Sequence, residues 1–352
     1  MRSPRQFRIG AALLCLLALT ATACGGGASS SQGAQAPGGK ACGSGTLTTP
    51  KSVRLGVNPG AQDLVTFVMQ QQGFDKKRNL RLDIKRFQSP PGLHTAIGEK
   101  VVDIGFAGLT AMAVARAHRR NTMIFNILTG PSNIVFVPKN SPIRSLGDFK
   151  GRKLGAFGGE SSVTFAILSA VGKEVYGISD LAAAADVVDA PDAALIGLMD
   201  QGRIDGALLG TTATIQALLS GKYRVVSDMA ADYEKKFGRL PGHVVVASTD
   251  DYAAKNCDVL MAFSGALSDT LTYMQSHDQV WSDYAKQIKL TDPRAPQMLK
   301  ERAVTRYIAK WDQAQENEEI KLIQRLIGVL GEDKFVSEVP KGLFRLDLQP
   351  GS

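Results

Sequence analysis

Residues 152–175 read RKLGAFGGESSVTFAILSAVGKEV, and this stretch decides the fold. RKLGAF is an apolar run typical of a β-strand, two glycines indicate a turn, and GESSVTFAILSAVGKEV has apolar residues at helical spacing. The turn places Glu160, Ser161 and Ser162 at the start of the predicted helix. Such a unit suits a phosphate cradle, a nucleophile elbow, or one wall of a ligand pocket made by a helix N-terminus.

The same strand–turn–helix unit recurs on both sides of this stretch. Strands are predicted at SVRLGV, RLDIKRF and VVDIGFAG before it, and at ADVVDA and IDGALLG after it. Alternation of this kind predicts parallel sheets covered by helices. The units fall into two sets, residues 52–133 and 150–228, and a late strand, HVVVAS at 243–248, precedes a helical C-terminal part. The pattern predicts an α/β protein whose chain returns from a second lobe to complete the first, as in hinged binding proteins.

The N-terminus has the pattern of an export signal. Arginines precede an apolar run that is too short to span a bilayer, and small residues lead to Cys24, so we predict a signal peptide over residues 1–23. Thr20–Cys24 resembles the lipobox of bacterial lipoproteins, which predicts lipidation of Cys24; cleavage without lipid would instead release a secreted protein. Residues 24–50 are rich in Gly, Ser, Ala and Thr and are predicted to form a flexible tether.

Charge and cysteine content narrow the function classes. The net charge is +8, and it falls to +5 when the three arginines of the signal are removed. The sequence lacks a run of basic residues interleaved with aromatic residues, which is the pattern that would indicate nucleic-acid binding. No segment after the signal is apolar enough to span a membrane. Cys42 and Cys257 remain after export. Their spacing leaves open whether they form a disulfide or stay as two free thiols.

Three segments carry a family resemblance: TAIGEKVVDIGFAGLTAMAVARA at 95–117, NSPIRSLGDFKGRKLGAFGGESSVTFAI at 140–167, and DAPDAALIGLMDQGRIDGALLGTTATIQAL at 189–218. They resemble the extracytoplasmic solute-binding proteins of ABC importers in the nitrate, sulfonate and taurine group, whose relatives include thiamine-pyrimidine synthases. The resemblance implies the type II periplasmic-binding-protein fold, with two lobes, a two-segment hinge and a cleft between the lobes. The predicted first lobe comprises residues 51–136 and 244–352, and the second comprises residues 137–243.

The resemblance also implies a function. The protein would be a monomer that is anchored by lipid to the outer face of the cell membrane, captures a small solute, and delivers it to a permease with its ATPase. No cofactor is implied. The alternatives are an enzyme of thiamine-pyrimidine type on the same fold, and a lipoprotein that senses a ligand or binds a protein partner without transport.

The candidate ligand-binding residues follow strands or begin helices, where ligands of open α/β sheets bind. They lie in five segments and comprise Asn58, Gly60, Gln62, Phe106, Ala107, Thr110, Thr129, Ser132, Glu160, Ser161, Ser162, Thr211 and Thr212. Phe106 is either a pocket wall or a core residue. The serines and threonines at helix starts are N-caps, ligand contacts or both. Glu160 is favourable at a helix N-terminus without any ligand, so a structural role stays open.

The charge of these segments predicts a ligand class. If Glu160 faces the cleft, it repels a bare anion and attracts an amino group or a ring N–H. The five segments contain no lysine or arginine, which favours the same ligands. We therefore expect an aminosulfonate, an amine or a pyrimidine in preference to nitrate or a simple alkanesulfonate.

Enzymatic motifs are missing from the sequence. The four histidines form no H-E-x-x-H pair, Ser161 lacks the flanking glycines of a G-x-S-x-G elbow, and no G-x-x-x-x-G-K-[ST] cradle occurs. GAFGG also lacks the glycine spacing of a dinucleotide fingerprint. We predict no catalytic residue, no metal site and no cofactor, which leaves the ligand-pocket interpretation of residues 152–175.

Overall fold

The computed structural model describes residues 42–308 and 310–350. The predicted signal peptide, Cys24 and residues 25–41 of the tether lie outside the described residues. Residues 42–50 do not form the flexible tether that we predict from their composition. Leu47 is buried, its N–H donates to the carbonyl of Arg78, and Cys42 forms a disulfide with Cys257. One apolar side chain and one covalent bond therefore fix the end of an otherwise small-residue segment.

The described strands form two five-stranded sheets with the same pattern. The first sheet has the order β2-β1-β3-β10-β4, with β1 Lys51–Val57, β2 Leu80–Arg86, β3 Ile104–Gly108, β4 Thr122–Thr129 and β10 Val244–Thr249. The second has the order β7-β6-β8-β5-β9, with β5 Ile134–Pro138, β6 Lys153–Ala156, β7 Asp186–Asp189, β8 Gly206–Leu209 and β9 Tyr223–Asp228. We call each sheet with its covering helices a lobe.

The pairing directions follow from the chain path. Pairing is parallel within the consecutive strand–helix–strand units: β1 pairs with β2 and β3, and β6 pairs with β7 and β8. The strands that follow a crossing between the lobes, β5 and β10, pair antiparallel with both neighbours. The chain thus crosses at residues 130–133 and again before β10, and the expected return to the first sheet is confirmed. We predict that the first lobe ends at residue 136. Because β5 belongs to the second sheet, the second lobe begins earlier, directly after the first crossing.

The described helices cover both faces of the sheets. They are α1 Ala61–Gln71, α2 Phe74–Lys77, α3 Pro90–Gly98, α4 Leu109–Ala117, α5 Val163–Tyr176, α6 Leu181–Ala184, α7 Asp192–Asp200, α8 Thr211–Ser220, α9 Met229–Phe237, α10 Asp250–Ser276, α11 Gln279–Gln287, α12 Ala295–Ala303 and α13 Gln313–Leu330. Short 3-10 turns occupy Leu146–Phe149, Gly159–Ser161 and Leu346–Leu348. None of these helices is long and apolar enough to cross a membrane.

The last long helix, α13, packs on the second lobe and not on the first lobe as we predict. Leu322, Ile323 and Leu326 are buried in one cluster with Phe165 of α5 and Tyr233 of α9. The guanidinium of Arg325 donates to the Tyr233 hydroxyl at 2.7 Å. An amphipathic pattern defines the apolar face of a helix but not the surface that buries it, so the sequence gives no sign of this partner.

Candidate functional site

A cleft of about 490 Å³ lies between the lobes at the carboxyl ends of the strands. Its wall in the first lobe is formed by residues at the ends of β1, β3 and β4, and its wall in the second lobe by residues at the ends of β6, β7 and β8. Loops and helix N-termini converge at this edge of an open sheet, and ligands bind there. The volume lies within the range of about 300–1,000 Å³ that is typical of small-molecule sites.

The loop after β1 is held in place by hydrogen bonds. The N–H of Asn58 donates to Oε1 of Gln62 at 2.6 Å, and Nδ2 of Asn58 donates to the carbonyl of Phe87 at 2.9 Å. The Tyr284 hydroxyl donates to the carbonyl of Gly60 at 3.1 Å. Gly60 has a φ of 106°, which a residue with a Cβ rarely adopts. The loop is therefore shaped before any ligand arrives.

Hydrogen bonds also orient the side chains of Ser132 and Ser162, which border the cleft. Ser132, in the first crossing, lies with its Oγ 2.9 Å from Oγ1 of Thr211 at the start of α8. Ser162 caps α5, because its Oγ accepts from the N–H of Phe165 at 3.1 Å and donates to the carbonyl of Gly159 at 2.9 Å. Ser162 also borders the cleft. The N-cap role that the sequence leaves open is therefore observed.

Asp192 supplies a carboxylate to the cleft. It is the first residue of α7, directly after Pro191, and its Oδ2 accepts from the N–H of Gly210 at 3.1 Å. A Cβ at position 210 would lie 2.8 Å from this oxygen, so glycine is needed for the approach. Burial raises the pKa of Asp192 to about 6, which the hydrogen bond from Gly210 opposes. At pH 7 the side chain is mainly ionised and faces a partly enclosed space.

Two histidines border the cleft in their neutral form. Nε2 of His94 accepts from the N–H of Gly108 at 3.0 Å, which fixes the tautomer with the proton on Nδ1. Nε2 of His243 lies 2.6 Å from Oγ1 of Thr164 and connects the second crossing to α5. Burial lowers the pKa of each histidine to about 4. Neither imidazole therefore brings a positive charge to the cleft at neutral pH.

The charged side chains that line the cleft are acidic. Within residues 42–308 and 310–350, no lysine or arginine lines it, whereas Asp63 and Asp192 do. Asp63 is paired with Arg86 at 3.2 Å, so Asp192 carries the unbalanced charge. Arg306 lines a small gap beside the cleft and is paired with Glu234 at 3.3 Å. The cleft therefore suits a cation or a neutral N–H donor better than an anion.

The structure brings most of the predicted residues together. The cleft is lined by Asn58, Gly60, Gln62, Phe106, Thr129, Ser132, Ser162, Thr211 and Thr212. The ring of Phe106 is fully buried and packs against Phe263 of α10, with centroids 6.1 Å apart, so it belongs to the core of the first lobe.

Four predicted residues do not line the cleft. Glu160, Ser161 and Thr110 line a second cavity on the other side of Ser162, and Ala107 lines neither space. Glu160 is exposed. Because Glu160 does not face the cleft, it does not supply the acidic group that we consider for the ligand. Asp192 provides that charge instead.

Several residues of the cleft are missing from the sequence-based set. They are Gln88, His94, Asn133, Phe157, Asp192, His243 and Tyr284. Asp192 follows the strand ADVVDA, so the rule that selects strand ends would have found it. His94 and Tyr284 lie within helices, and no local pattern marks their approach to the cleft.

The described residues also bear on metal binding. Among them, no group of three or more His, Cys, Asp and Glu side chains is placed to hold a metal ion. The cleft is lined by hydrogen-bonding groups and by two carboxylates, of which that of Asp63 is paired with Arg86.

Comparison with known proteins gives the family. The model of the family described as NMT1/THI5 like matches residues 62–280, more than half of the chain. No curated protein matches the sequence.

Solved structures share the fold at low sequence identity. The periplasmic aliphatic sulphonate binding protein SsuA from Escherichia coli is 16% identical, with a TM-score of 0.64 over 84% of this chain and 91% of that chain. The alkanesulfonate-binding protein SsuA from Xanthomonas axonopodis pv. citri, bound to MOPS, is 14% identical, with a TM-score of 0.66 over 86% and 99%. A ligand-binding component of an ABC-type import system from Staphylococcus aureus, with zinc bound, is 13% identical, with a TM-score of 0.61 over 82% and 97%. The chain therefore belongs to the NMT1/THI5-like family and has the type II periplasmic-binding-protein fold, with two lobes around a cleft.

Proposed function

We propose that the protein is the solute-binding component of an ABC import system and that its cleft captures a small organic solute with an amino group or a ring N–H. The carboxylate of Asp192, in a cleft whose described lining lacks lysine and arginine, is the observation that carries the proposal. Amines, aminosulfonates and aminopyrimidines meet this requirement. The solved relatives named for sulfonate binding support the general role, and the charge of this cleft supports the narrower ligand class.

The ligand would act by favouring a closed arrangement of the lobes. Asn58 and Gln62 border the cleft from the first lobe, and Asp192 and Thr211 border it from the second. A solute that contacts both walls binds the closed form more tightly than the open form and so shifts the population toward closure. The closed form would then be recognised by the permease. No catalytic step is part of this proposal.

The proposed location is the outer face of the cell membrane, with the N-terminal cysteine of the processed chain, Cys24, as the lipid anchor. The disulfide between Cys42 and Cys257 supports an extracytoplasmic location, because such bonds persist in oxidising compartments. Mass spectrometry of the processed protein tests the anchor: a diacylglyceryl mass on Cys24 is expected, and an unmodified N-terminus would contradict it.

Calorimetry with matched variants tests the ligand class. The panel comprises 4-aminopyrimidine, an alkylamine, taurine, ethanesulfonate and nitrate, each titrated into the wild type, Asp192→Asn and Glu160→Gln. Asn retains an acceptor for the N–H of Gly210 but removes the charge. A charge-assisted hydrogen bond contributes about 1.5–3 kcal/mol, so Asp192→Asn should weaken binding of the preferred amino compound about 10- to 100-fold. Glu160→Gln should leave it unchanged.

Two outcomes would contradict the proposal. Binding of ethanesulfonate or nitrate in preference to every amino compound would exclude the ligand class. Equal affinities of the wild type and Asp192→Asn for the bound amino compound would exclude the role of the carboxylate.

A further inference from the structure

After β10 the chain passes between the lobes twice more. Tyr307, which follows α12, bridges to Thr129 at the end of β4, and its hydroxyl donates to the carbonyl of Ala61 at 3.0 Å, so it lies on the first lobe. The next helix, α13, packs on α5 of the second lobe. Beyond α13, the carbonyl of Leu343 accepts from the N–H of Ile124 in β4 at 2.7 Å. The segment that contains α13 therefore leaves the first lobe, packs on the second lobe and returns.

The first turn of α13 lies beside the second crossing. Nε2 of Gln315 donates to the carbonyl of Leu240 in that crossing at 3.4 Å. Shortly before α13, the ring of Trp311 packs against Phe344, with centroids 5.8 Å apart, and Phe344 bridges to Ile124 of β4. This end of the helix is therefore close to the segments about which the lobes would rotate, and a rotation would move it little.

The last turns of α13 are held on the second lobe, far from the second crossing. Nζ of Lys173 in α5 donates to the carbonyl of Gly328 at 2.9 Å, and the guanidinium of Arg325 lies 4.4 Å from the centroid of the Phe237 ring in α9. Gly328 is about 20 Å along the helix from Gln315. A rotation of the second lobe by about 15° would therefore displace this end by up to about 5 Å.

Residues 331–342, which we call the strap, join this far end of α13 to the first lobe. Gly331 ends α13 with a φ of 82°. Near the other end of the strap, the carbonyl of Lys341 accepts from Nε of Arg116 in α4 at 2.8 Å. The strap thus connects a point that moves with the second lobe to a point that is fixed on the first.

Two apolar side chains hold the strap against the lobes. Phe335 is 7% exposed and Val336 is 3% exposed, and both belong to a buried cluster that also contains Met112 of α4 and Phe165 of α5. Phe335 also borders the second cavity, together with residues of α4 and α5. Movement of α5 away from α4 would expose these side chains to water, which is unfavourable.

From this geometry we infer that the strap limits how far the two lobes separate. When the second lobe rotates away from the first, it carries the far end of α13 with it, and the strap has to release Phe335 and Val336 before the cleft opens further. The inference rests on the contacts between the lobes, so it does not depend on which solute binds in the cleft.

Cleavage of the strap tests the inference. A recognition site for a sequence-specific protease is inserted between the exposed residues Ser337 and Glu338. Spin labels are attached to p-acetylphenylalanine at the exposed positions of Lys85 in β2 and Asp186 in β7, so the disulfide stays intact. These edge strands lie opposite the strands that flank the crossings. Double electron–electron resonance on the full processed chain, without added solute, should show a distance distribution that lengthens or broadens by about 5 Å after cleavage.

The matched control carries the same protease site between Gly221 and Lys222, an exposed turn within the second lobe. Cleavage there cuts the chain without freeing α13, so it should leave the distances unchanged. The double variant Phe335→Ser/Val336→Ser keeps the strap continuous but removes its apolar contacts, and it should lengthen or broaden the distribution in the same way. Circular dichroism establishes that each sample is folded.

An increase after cleavage of the strap or in the double variant supports the inference. The inference is overturned if both samples give the distances of the wild type, or if cleavage at the control turn increases the distances as much as cleavage of the strap.

Discussion

At the scale of single residues, the sequence predicts where polar side chains lie along the chain but not which way they point. The position of Glu160 at a helix start is predictable, because a carboxylate is favourable there. The direction of the Glu160 side chain is not predictable, because a side chain in a tight turn can point to either side of the backbone. Asp192 has the same kind of position at the start of α7, and there the close approach of Gly210 turns it toward the cleft.

His243 should make the stability of the fold depend on pH. Burial lowers its pKa to about 4, whereas an unfolded chain has a histidine pKa near 6.5. The unfolded state therefore binds the proton first, and the stability contributed by the neutral imidazole is lost as the pH falls from about 6.5 to about 4. Urea unfolding should show a loss from pH 7 to pH 4.5 that is smaller in His243→Gln than in the wild type, by up to about 2 kcal/mol.

The exposed His118 provides the control for this measurement. His118→Gln should change the loss between pH 7 and pH 4.5 less than His243→Gln does. If His243→Gln and the wild type lose the same amount of free energy, His243 is not neutral in the folded protein.

At the scale of elements, the strand and helix pattern is the most predictable part of this protein. Periodicity and glycine or proline positions are local signals, so the strand–turn–helix units of both lobes can be found in the sequence. The partners of an element are not local. The sequence therefore predicts a helical C-terminal part but not that its last long helix, α13, packs on α5 and α9.

The start of α5 allows a direct test of a predicted cap. Ser162 accepts from the N–H of Phe165, whereas the exposed Ser161 only donates to the carbonyl of Gly158. Ser162→Ala should lower the free energy of unfolding by about 1 kcal/mol, because an N–H of the first turn then loses its partner. Ser161→Ala should change it by less than half as much. Chemical denaturation of both variants makes the comparison, and equal losses would contradict the assignment of the cap.

At the scale of the whole molecule, α13 contacts the second crossing between the lobes. The N–H of Gly242 donates to both carboxylate oxygens of Glu319, at 2.7 and 2.8 Å, and Nε2 of Gln315 donates to the same group at 2.8 Å. A Cβ at position 242 would lie 2.9 Å from Ile127 and 3.1 Å from Glu319, so the contact requires glycine. A helix of the second lobe thus fixes the path of the chain where it returns to the first.

Glu319 should destabilise the folded protein at alkaline pH. Burial raises its pKa to about 8, against the opposing hydrogen bonds from Gln315 and Gly242, whereas the unfolded value is near 4.5. The folded state therefore retains the proton that the unfolded state releases, and stability is lost as the pH rises from about 4.5 to about 8. Glu319→Gln resembles the protonated form, so it should be similar to the wild type at pH 5 and more stable by about 1–4 kcal/mol at pH 9.

Glu318, the neighbouring residue, pairs with Lys321 at the surface of α13 and provides the control. Because the charge of Glu318 also raises the pKa of Glu319, Glu318→Gln should give a gain at pH 9 relative to pH 5 that is smaller than the gain of Glu319→Gln in the same denaturation series. A Glu319→Gln variant that is less stable than the wild type at pH 9 would show that the carboxylate is ionised in the fold.

The disulfide between Cys42 and Cys257 has a mechanical consequence. Cys257 lies on α10, whose Phe263 packs against Phe106 of the first sheet, so the bond ends on the first lobe alone. Any pull along the chain that precedes Cys42 is therefore transmitted to α10 and does not reach the two crossings. If Cys24 anchors the chain as we propose, the first lobe would be the body held by the anchor, and the proposed closure would move the second lobe relative to it.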